Sequence, residues 1–284
     1  MNLISIQSHV AYGHVGNSAA VFALQRLGCE VWPVHTVQFS NHTGYAAWKG
    51  EVFAAAHISE VVDGIASLGV LSACDGVVSG YIGAVETGEA ILAAVRKVKA
   101  ANPNARYCCD PVIGNRARGE FVRPGITEFM RECAVPAADV VTPNHFELDR
   151  LAGRESRNLA AILSAVHAIH TRGPRAVLVT SVRSEATPAD SVDIIASDAS
   201  GRYLVRTPLL ATPANGAGDL IAAVFFFHYL CSGSAADALA AATSSVFGVL
   251  RRTRDAGASE IVLIAAQDEL AAPSKTFAPV KVGL

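Results

Sequence analysis

The sequence predicts an α/β fold in three layers, a mostly parallel central sheet flanked by helices on both faces. Three observations carry that prediction. Short apolar runs of strand length alternate with longer segments of helical period almost throughout. Polar clusters fall directly after the apolar runs, the place where open α/β sheets bind ligands. No Pro-, Gly- or Ser-rich linker and no internal repeat divides the 284 residues, so one domain over residues 1–284 is the economical reading.

In chain order, Leu3 to Gln7 reads as a buried strand that runs into a polar, Gly-containing loop from Ser8 to Ser18. The spacing of Ala20, Phe22, Ala23 and Leu27 predicts a helix over Ala19 to Leu27, stopped by Gly28. Val31 to Phe39 is a second strand, followed by Ser40-Asn41-His42-Thr43-Gly44-Tyr45, a loop dense in hydrogen-bonding groups. Ile58 to Leu68 predicts an amphipathic helix, Asp75 to Tyr81 a strand, and Val85 to Ala101 a helix that ends before Asn102-Pro103. Arg106 to Cys109 is a strand ending in Asp110-Pro111. Asn115 to Arg123, with Arg116, Arg118 and Gly119, reads as an exposed mobile loop, and Pro124 to Cys133 as helix-like. Asp139 to Val141 is a short strand before Thr142-Pro143-Asn144-His145-Phe146-Glu147. Leu159 to His170 predicts a helix, Ala176 to Thr180 a strand, and Val192 to Ala196 with Tyr203 to Arg206 a hairpin. Leu220 to Leu230 reads as a buried helix, Ala235 to Leu250 as a long Ala-rich helix, and Ile261 to Ala265 as a last strand.

Composition narrows the class. Half of the chain, 51%, is hydrophobic and 17% is charged, which suits a sizeable buried core and not a disordered chain. The net charge of -2 has no long run of one sign, which argues against a nucleic-acid surface. The cysteines at 29, 74, 108, 109, 133 and 231 form no C-x-x-C pair and read as reduced thiols of a cytoplasmic protein. No basic, apolar leader is expected at the start, and the most apolar segment is too short to span a bilayer, so no membrane partner is expected.

The chemistry gathers at Asn215-Gly216-Ala217-Gly218-Asp219, just before the Leu220 to Leu230 helix. Glycines let a group approach the main chain closely, and a helix start points unpaired N–H groups at whatever lies before it. A carboxylate at that mouth can take the proton of a hydroxyl while the N–H groups hold a transferring phosphoryl. The same pattern also fits a loop with an ordinary acidic first turn. Asp110 with Asn144-x-x-Glu147 offers the oxygens of a magnesium site; Asn144 and Glu147 also fit a helix capping box. There is no G-x-x-x-x-G-K-[ST], no G-x-G-x-x-G after the first strand and no G-x-S-x-G. His9, His14 and His42 have no zinc spacing, and the histidines read as structural or surface residues.

Gly216-Ala217-Gly218-Asp219 together with Asn144-x-x-Glu147 resembles the ribokinase-like superfamily. Gln7 to Ala20, Val37 to Thr43, Ser79-Gly80-Tyr81 and Cys109-Asp110-Pro111-Val112 are similar to the pyridoxal kinases, and the resemblance runs from the first strand to Gln267. It implies ATP-dependent phosphorylation of the 5′-hydroxyl of pyridoxal, with Asp219 as general base and the N–H groups of Gly216, Ala217 and Gly218 on the phosphoryl. It implies that Ser8, Thr43, Gly44 and Tyr81 lie on the substrate side. Asp110, Thr142, Glu147 and Thr180 would lie on the ATP side, with Thr207, Pro208, Leu209 and Leu210 bordering the nucleotide, and Asp110 and Glu147 toward Mg²⁺. It further implies a monovalent cation such as K⁺, a homodimer, and a flap over ATP formed by Asn115 to Arg123. Two positions depart from the family pattern: Thr180 stands where Lys is common, and Gly44 where a polar residue is common. Arg116, Arg118 and Arg183 are the candidates to replace the lysine. Two other readings stay open: a hydroxymethylpyrimidine kinase, and a weakly active protein that binds and buffers B6 vitamers.

Overall fold

The computed structural model describes residues 1–212 and 215–283. In chain order the elements are β1 (Asn2–Val10), α1 (Asn17–Arg26), β2 (Glu30–Phe39), β3 (Gly50–Val52), α2 (Ala55–Ser67), β4 (Gly76–Ser79), α3 (Val85–Ala101) and β5 (Arg106–Cys109). Then come β6 (Gly114–Asn115), β7 (Gly119–Glu120), α4 (Ile126–Phe129), α5 (Val135–Ala137), β8 (Val140–Val141), α6 (His145–Ala152), α7 (Leu159–His170) and β9 (Ala176–Val182). The rest are β10 (Ser191–Asp198), β11 (Gly201–Pro208), α8 (Ala217–Ser232), α9 (Ala235–Asp255), α10 (Asp268–Ala271) and β12 (Val280–Lys281).

A ten-stranded sheet has the order β12-β11-β10-β9-β8-β5-β4-β1-β2-β3. The run from β9 to β2 is parallel. β3 closes one edge antiparallel to β2, and β10, β11 and β12 extend the other edge antiparallel. The chain leaves β1 first toward β2 and then toward β4, so the topological switch lies beside β1.

The central strands have no solvated face. Val77, Tyr107, Cys109, Val141 and Val177 join one core, with Ile91 and Val95 of α3 and Ile162 and Val166 of α7. Their neighbours Val78, Cys108, Val140, Ala176 and Leu178 point the other way, onto Phe225 and Phe226 of α8 and Leu239 of α9. This is why the strands read as continuous apolar runs rather than alternating ones. Burying a side chain such as Phe225 contributes roughly 1.5–3 kcal/mol. The predicted three-layer, mostly parallel fold is therefore the observed one.

Several boundaries differ from the sequence reading. Ser8, His9 and Val10 belong to β1, whose pairing with β2 shifts register between Gln7 and His9. The segment 115–123, expected as a loop, carries the hairpin β6–β7. The helix-like stretch from Pro124 winds through α4, a π-helical turn over Met130–Ala134, and α5. Ile261 to Ala265 is not a strand. Ile261 and Leu263 enter the core while Ala266 N–H bonds back to Val262 and Gln267 N–H to Ile264, so the apolar residues close a set of turns beneath α9. The residue before this segment, Glu260, makes an isolated bridge with Asn215.

Candidate active site

A cavity of about 490 Å³ opens at the carboxyl ends of the parallel strands. Each strand delivers a residue to it: Ser8 from β1, Tyr81 after β4, Asp110 after β5, Thr142 after β8, and Thr180 from β9. Thr43, Glu147 and the first turn of α8, with Gly216, Ala217, Gly218 and Asp219, complete the wall. A second cavity of about 230 Å³ adjoins it, and Thr180, Ser181, Ala217 and Gly218 line both. Thr207, Pro208, Leu209 and Leu210 border the second cavity, whose walls from α8 and α9 are apolar at Ile221, Val246 and Phe247 and carry Thr243. Gly44 reaches neither cavity. Its N–H donates to His42 Nδ1 at 3.0 Å, and it serves the turn that carries His42.

Two glycines permit the close packing of the wall. Gly216, at φ 90°, carries no Cβ where one would lie 1.7 Å from the His14 carbonyl. Gly16, at φ 53°, leaves its space to the Ser8 carbonyl 2.2 Å away. The loop before α1 thus presses between β1 and the start of α8, with the Gly16 N–H on the side of the Asp219 carboxylate. Asp219 lies half-buried in the first turn of α8, which has no side-chain cap. The first N–H groups of that helix are therefore left for another acceptor.

The acidic wall is tightly bonded. Thr142 Oγ1 donates to Asp110 Oδ1 at 2.9 Å. Glu147 Oε1 accepts the N–H groups of Ile113 and Gly114 at 3.0 and 3.3 Å, and its Oε2 accepts that of Asn144 at 2.8 Å. Asn144 Oδ1 accepts the Glu147 N–H at 3.0 Å, so the pair forms a complete capping box on α6. Burial pushes the Glu147 carboxyl up to about 7, against the three backbone donors. Burial also raises Asp110 well above the usual carboxylate range, and the charges of Glu147 and Asp219 add to it. Asp219 is raised by burial and held back by its backbone donors. The three carboxyls crowd one wall, which makes that wall a good receiver of positive charge. No group of three or more His, Cys, Asp and Glu side chains arranged to hold a metal ion occurs among the described residues.

Of the cations considered for the missing lysine, Arg118 reaches the first cavity, with its guanidinium 5.2 Å from the centre of the Phe121 ring. Arg116 and Arg183 face a different, open groove. Ser79 is not a site residue, for its hydroxyl lies 2.8 Å from the Tyr107 hydroxyl inside the sheet. The sequence reading passed over His42 and Ser181. His42 lines the first cavity, and burial lowers its pKa. Its sequence signals were the polar run after β2 and the Val37 to Thr43 resemblance, neither of which assigned it a role.

The profile of the phosphomethylpyrimidine kinase family matches residues 72–263. Pyridoxal kinase PdxY of Rubrobacter xylanophilus is 55% identical over 278 residues, covering 98% of this chain and 96% of its own. The chain belongs to the pyridoxal kinase family. A second member, pyridoxal kinase PdxY of Granulibacter bethesdensis, is 53% identical and covers 98% of each chain. Among solved structures of the family, the pyridoxal kinase from Leishmania donovani in complex with ADP and pyridoxamine is 28% identical, with a TM-score of 0.92 and 99% of each chain covered. The same protein in complex with ADP and pyridoxine has a TM-score of 0.91.

Proposed function

We propose that this chain transfers the γ-phosphoryl group of ATP to the 5′-hydroxyl of pyridoxal, giving pyridoxal 5′-phosphate and ADP. The observation that carries the reading is Asp219, a carboxylate in the first turn of α8 between two kinds of wall. On one side stand aromatic rings and hydroxyls, Phe39, Thr43, Tyr81 and Ser8, suited to a small polar ring. On the other stand Asp110, Thr142, Glu147 and Thr180, continuous with the apolar second cavity, suited to phosphates and a purine.

In this reading Asp219 takes the proton of the 5′-hydroxyl as the oxygen forms its bond to phosphorus and the bond to the ADP oxygen breaks. A base raised above the ordinary carboxylate range suits that proton transfer. The N–H groups of Gly216, Ala217 and Gly218 stabilise the charge that develops on the phosphoryl oxygens. Arg118, on the β6–β7 hairpin that serves as a flap, supplies the positive charge that Thr180 does not.

Asp110 and Glu147 would hold Mg²⁺ in this reading, and both Glu147 oxygens also accept backbone N–H groups. The metal neutralises phosphate charge when bound. K⁺ suits the same acidic wall. We read the chain as a single kinase domain over residues 1–284, cytoplasmic, with its six cysteines as free thiols. We further read it as a homodimer. The exposed edge strand β3, which carries the exposed Val52, and the exposed Trp48 just before it support self-association, and light scattering on the eluting protein tests it.

The deciding experiment is formation of pyridoxal phosphate from pyridoxal with Mg-ATP and K⁺, with hydroxymethylpyrimidine assayed in parallel. The match to the phosphomethylpyrimidine kinase profile motivates that second substrate. Turnover on hydroxymethylpyrimidine alone overturns the proposal. Saturable pyridoxal binding without turnover replaces it with the buffering reading, and Thr180→Lys is then the informative variant.

A further inference from the structure

His145 is the first residue of α6 and is 2% exposed, yet the chemistry above does not use it. Its Nε2 lies 2.8 Å from the Ser156 carbonyl oxygen. A carbonyl only accepts, so Nε2 carries the proton and Nδ1 is left as an acceptor. Nδ1 takes the backbone N–H of Arg183 at 3.3 Å. The imidazole is thus held at both nitrogens.

Arg183 follows an unusual piece of backbone. Ser181 has φ 53°, the one non-glycine residue with positive φ among the described residues. The pairing of β9 with β10 shifts register at the same place, between Asp193 and Ile195, as at a β-bulge. The bulge turns Thr180 and Ser181 toward the wall that the two cavities share. A strained serine of this kind persists only where its surroundings hold it. Here it is held from both sides by one short segment. The Thr180 N–H donates to the Pro143 carbonyl at 3.0 Å, and the Arg183 N–H donates to His145. Between these two anchors, Asn144 bridges to Thr180 and caps the helix that carries Glu147.

We propose that His145 is a positioning residue whose Nδ1, by accepting the Arg183 N–H, keeps the Ser181 bulge in the shape that the nucleotide meets. The inference rests on reading the second cavity as the nucleotide site. Its anchors Pro143, His145 and Arg183 line neither cavity, while Thr180 and Ser181 stand in the wall that both cavities share.

The test uses the full chain and two amide substitutions. Asn sets its side-chain oxygen near the place of Nδ1, whereas Gln reaches toward the place of Nε2. His145→Asn keeps an acceptor for Arg183, and His145→Gln keeps the contact with Ser156 but loses that acceptor. Expected is an ATP KM within about twofold of wild type for His145→Asn and about fivefold or more above it for His145→Gln, with the pyridoxal KM unchanged in both. Amide exchange over residues 181–183 should quicken in His145→Gln and not in His145→Asn. Equal ATP KM values for the two variants overturn the proposal. So does a rise in both KM values together with a lowered melting temperature, the mark of a purely structural role. Should the wild-type chain turn over no pyridoxal, the proposed function falls, and ADP affinity with the exchange measurement decides the clamp by itself. Unchanged ADP affinity in His145→Gln overturns it, and a selective loss supports it.

Discussion

The Tyr45 hydroxyl donates to Oε1 of Glu260 at 2.7 Å, joining residues 215 positions apart in the chain. Glu260 is also the residue that bridges to Asn215, at the entrance to the first turn of α8. Its other oxygen, Oε2, is buried without a hydrogen-bond partner and packs over Gly13, where a Cβ would lie 2.3 Å away. The loop that carries His42 and Thr43 is therefore tied to the turn that carries Asp219. Removing the tie in Tyr45→Phe should raise the pyridoxal KM by about threefold to tenfold, the range for one ordinary exposed hydrogen bond, and leave the ATP KM unchanged. Steady-state kinetics with each substrate varied in turn checks this, and a change confined to ATP would contradict it.

Asp219→Asn should lower kcat by about 10²–10⁴ without preventing ATP binding, since the amide keeps the shape and loses the base. ATP titration by calorimetry beside the rate assay separates the two effects. A variant with near-wild-type kcat would remove Asp219 from the role of base.

The acidic wall makes stability depend on pH with a definite sign. A carboxyl whose pKa is higher folded than unfolded holds more protons in the folded chain between the two values. Its stabilising contribution is present below the unfolded value and is lost as pH rises through the folded one. For Glu147 that window runs from the ordinary 4.5 to about 7, and Asp110 and Asp219 shift in the same direction. Asp110→Asn removes one member of the repelling set and keeps an acceptor for Thr142. The fall in melting temperature from pH 5 to pH 8 should be smaller in this variant, and Mg²⁺ should raise the wild-type melting temperature more at pH 8 than at pH 5. Identical pH profiles for the two proteins would refute the coupling.

Thr243 of α9 is buried, lines the second cavity, and its hydroxyl has no hydrogen-bond partner. Ser244 and Thr253 on the same helix bond back to the carbonyls of Ala240 and Val249. Thr243→Val keeps the shape and removes the orphan group, which should stabilise the fold by about 1 kcal/mol. Urea unfolding measures it, and a loss of stability would show that the hydroxyl has a partner in solution.

Arg118→Ala should raise the ATP KM more than the pyridoxal KM, because the side chain reaches the first cavity from the β6–β7 hairpin. An effect on pyridoxal alone would move Arg118 to the vitamer side.

The interior of the fold was legible because both of its signals are local. Val85–Ala101 and Leu159–His170 repeat their apolar residues at helical spacing and pack on the sheet as expected. The hairpin β10–β11 was legible, but the two outermost strands, β3 and β12, were not. Every residue of Gly50–Val52 is exposed, so pairing with β2 leaves no trace in hydrophobicity. Ile261 to Ala265 misled in the opposite way, since residues that close turns over a core must be as apolar as residues in a strand. At the site, strand ends and glycines pointed to Ser8, Asp110 and Asp219, and the family resemblance to Thr142, and the fold brings all four to one cavity. Ser181 left no such signal, because a serine at positive φ looks like any other serine until its backbone is known.

The wall shared by the two cavities has an evolutionary consequence. Thr180, Ser181, Ala217 and Gly218 face both chambers at once. Replacing any of these four side chains alters the lining of both chambers. Lineages that alter the choice of vitamer are expected to vary at the far side, around Thr43 and Tyr81. Those that alter the choice of nucleotide are expected to vary around Leu209 and Val246, leaving the partition between the chambers as the slowest-drifting part of the chain.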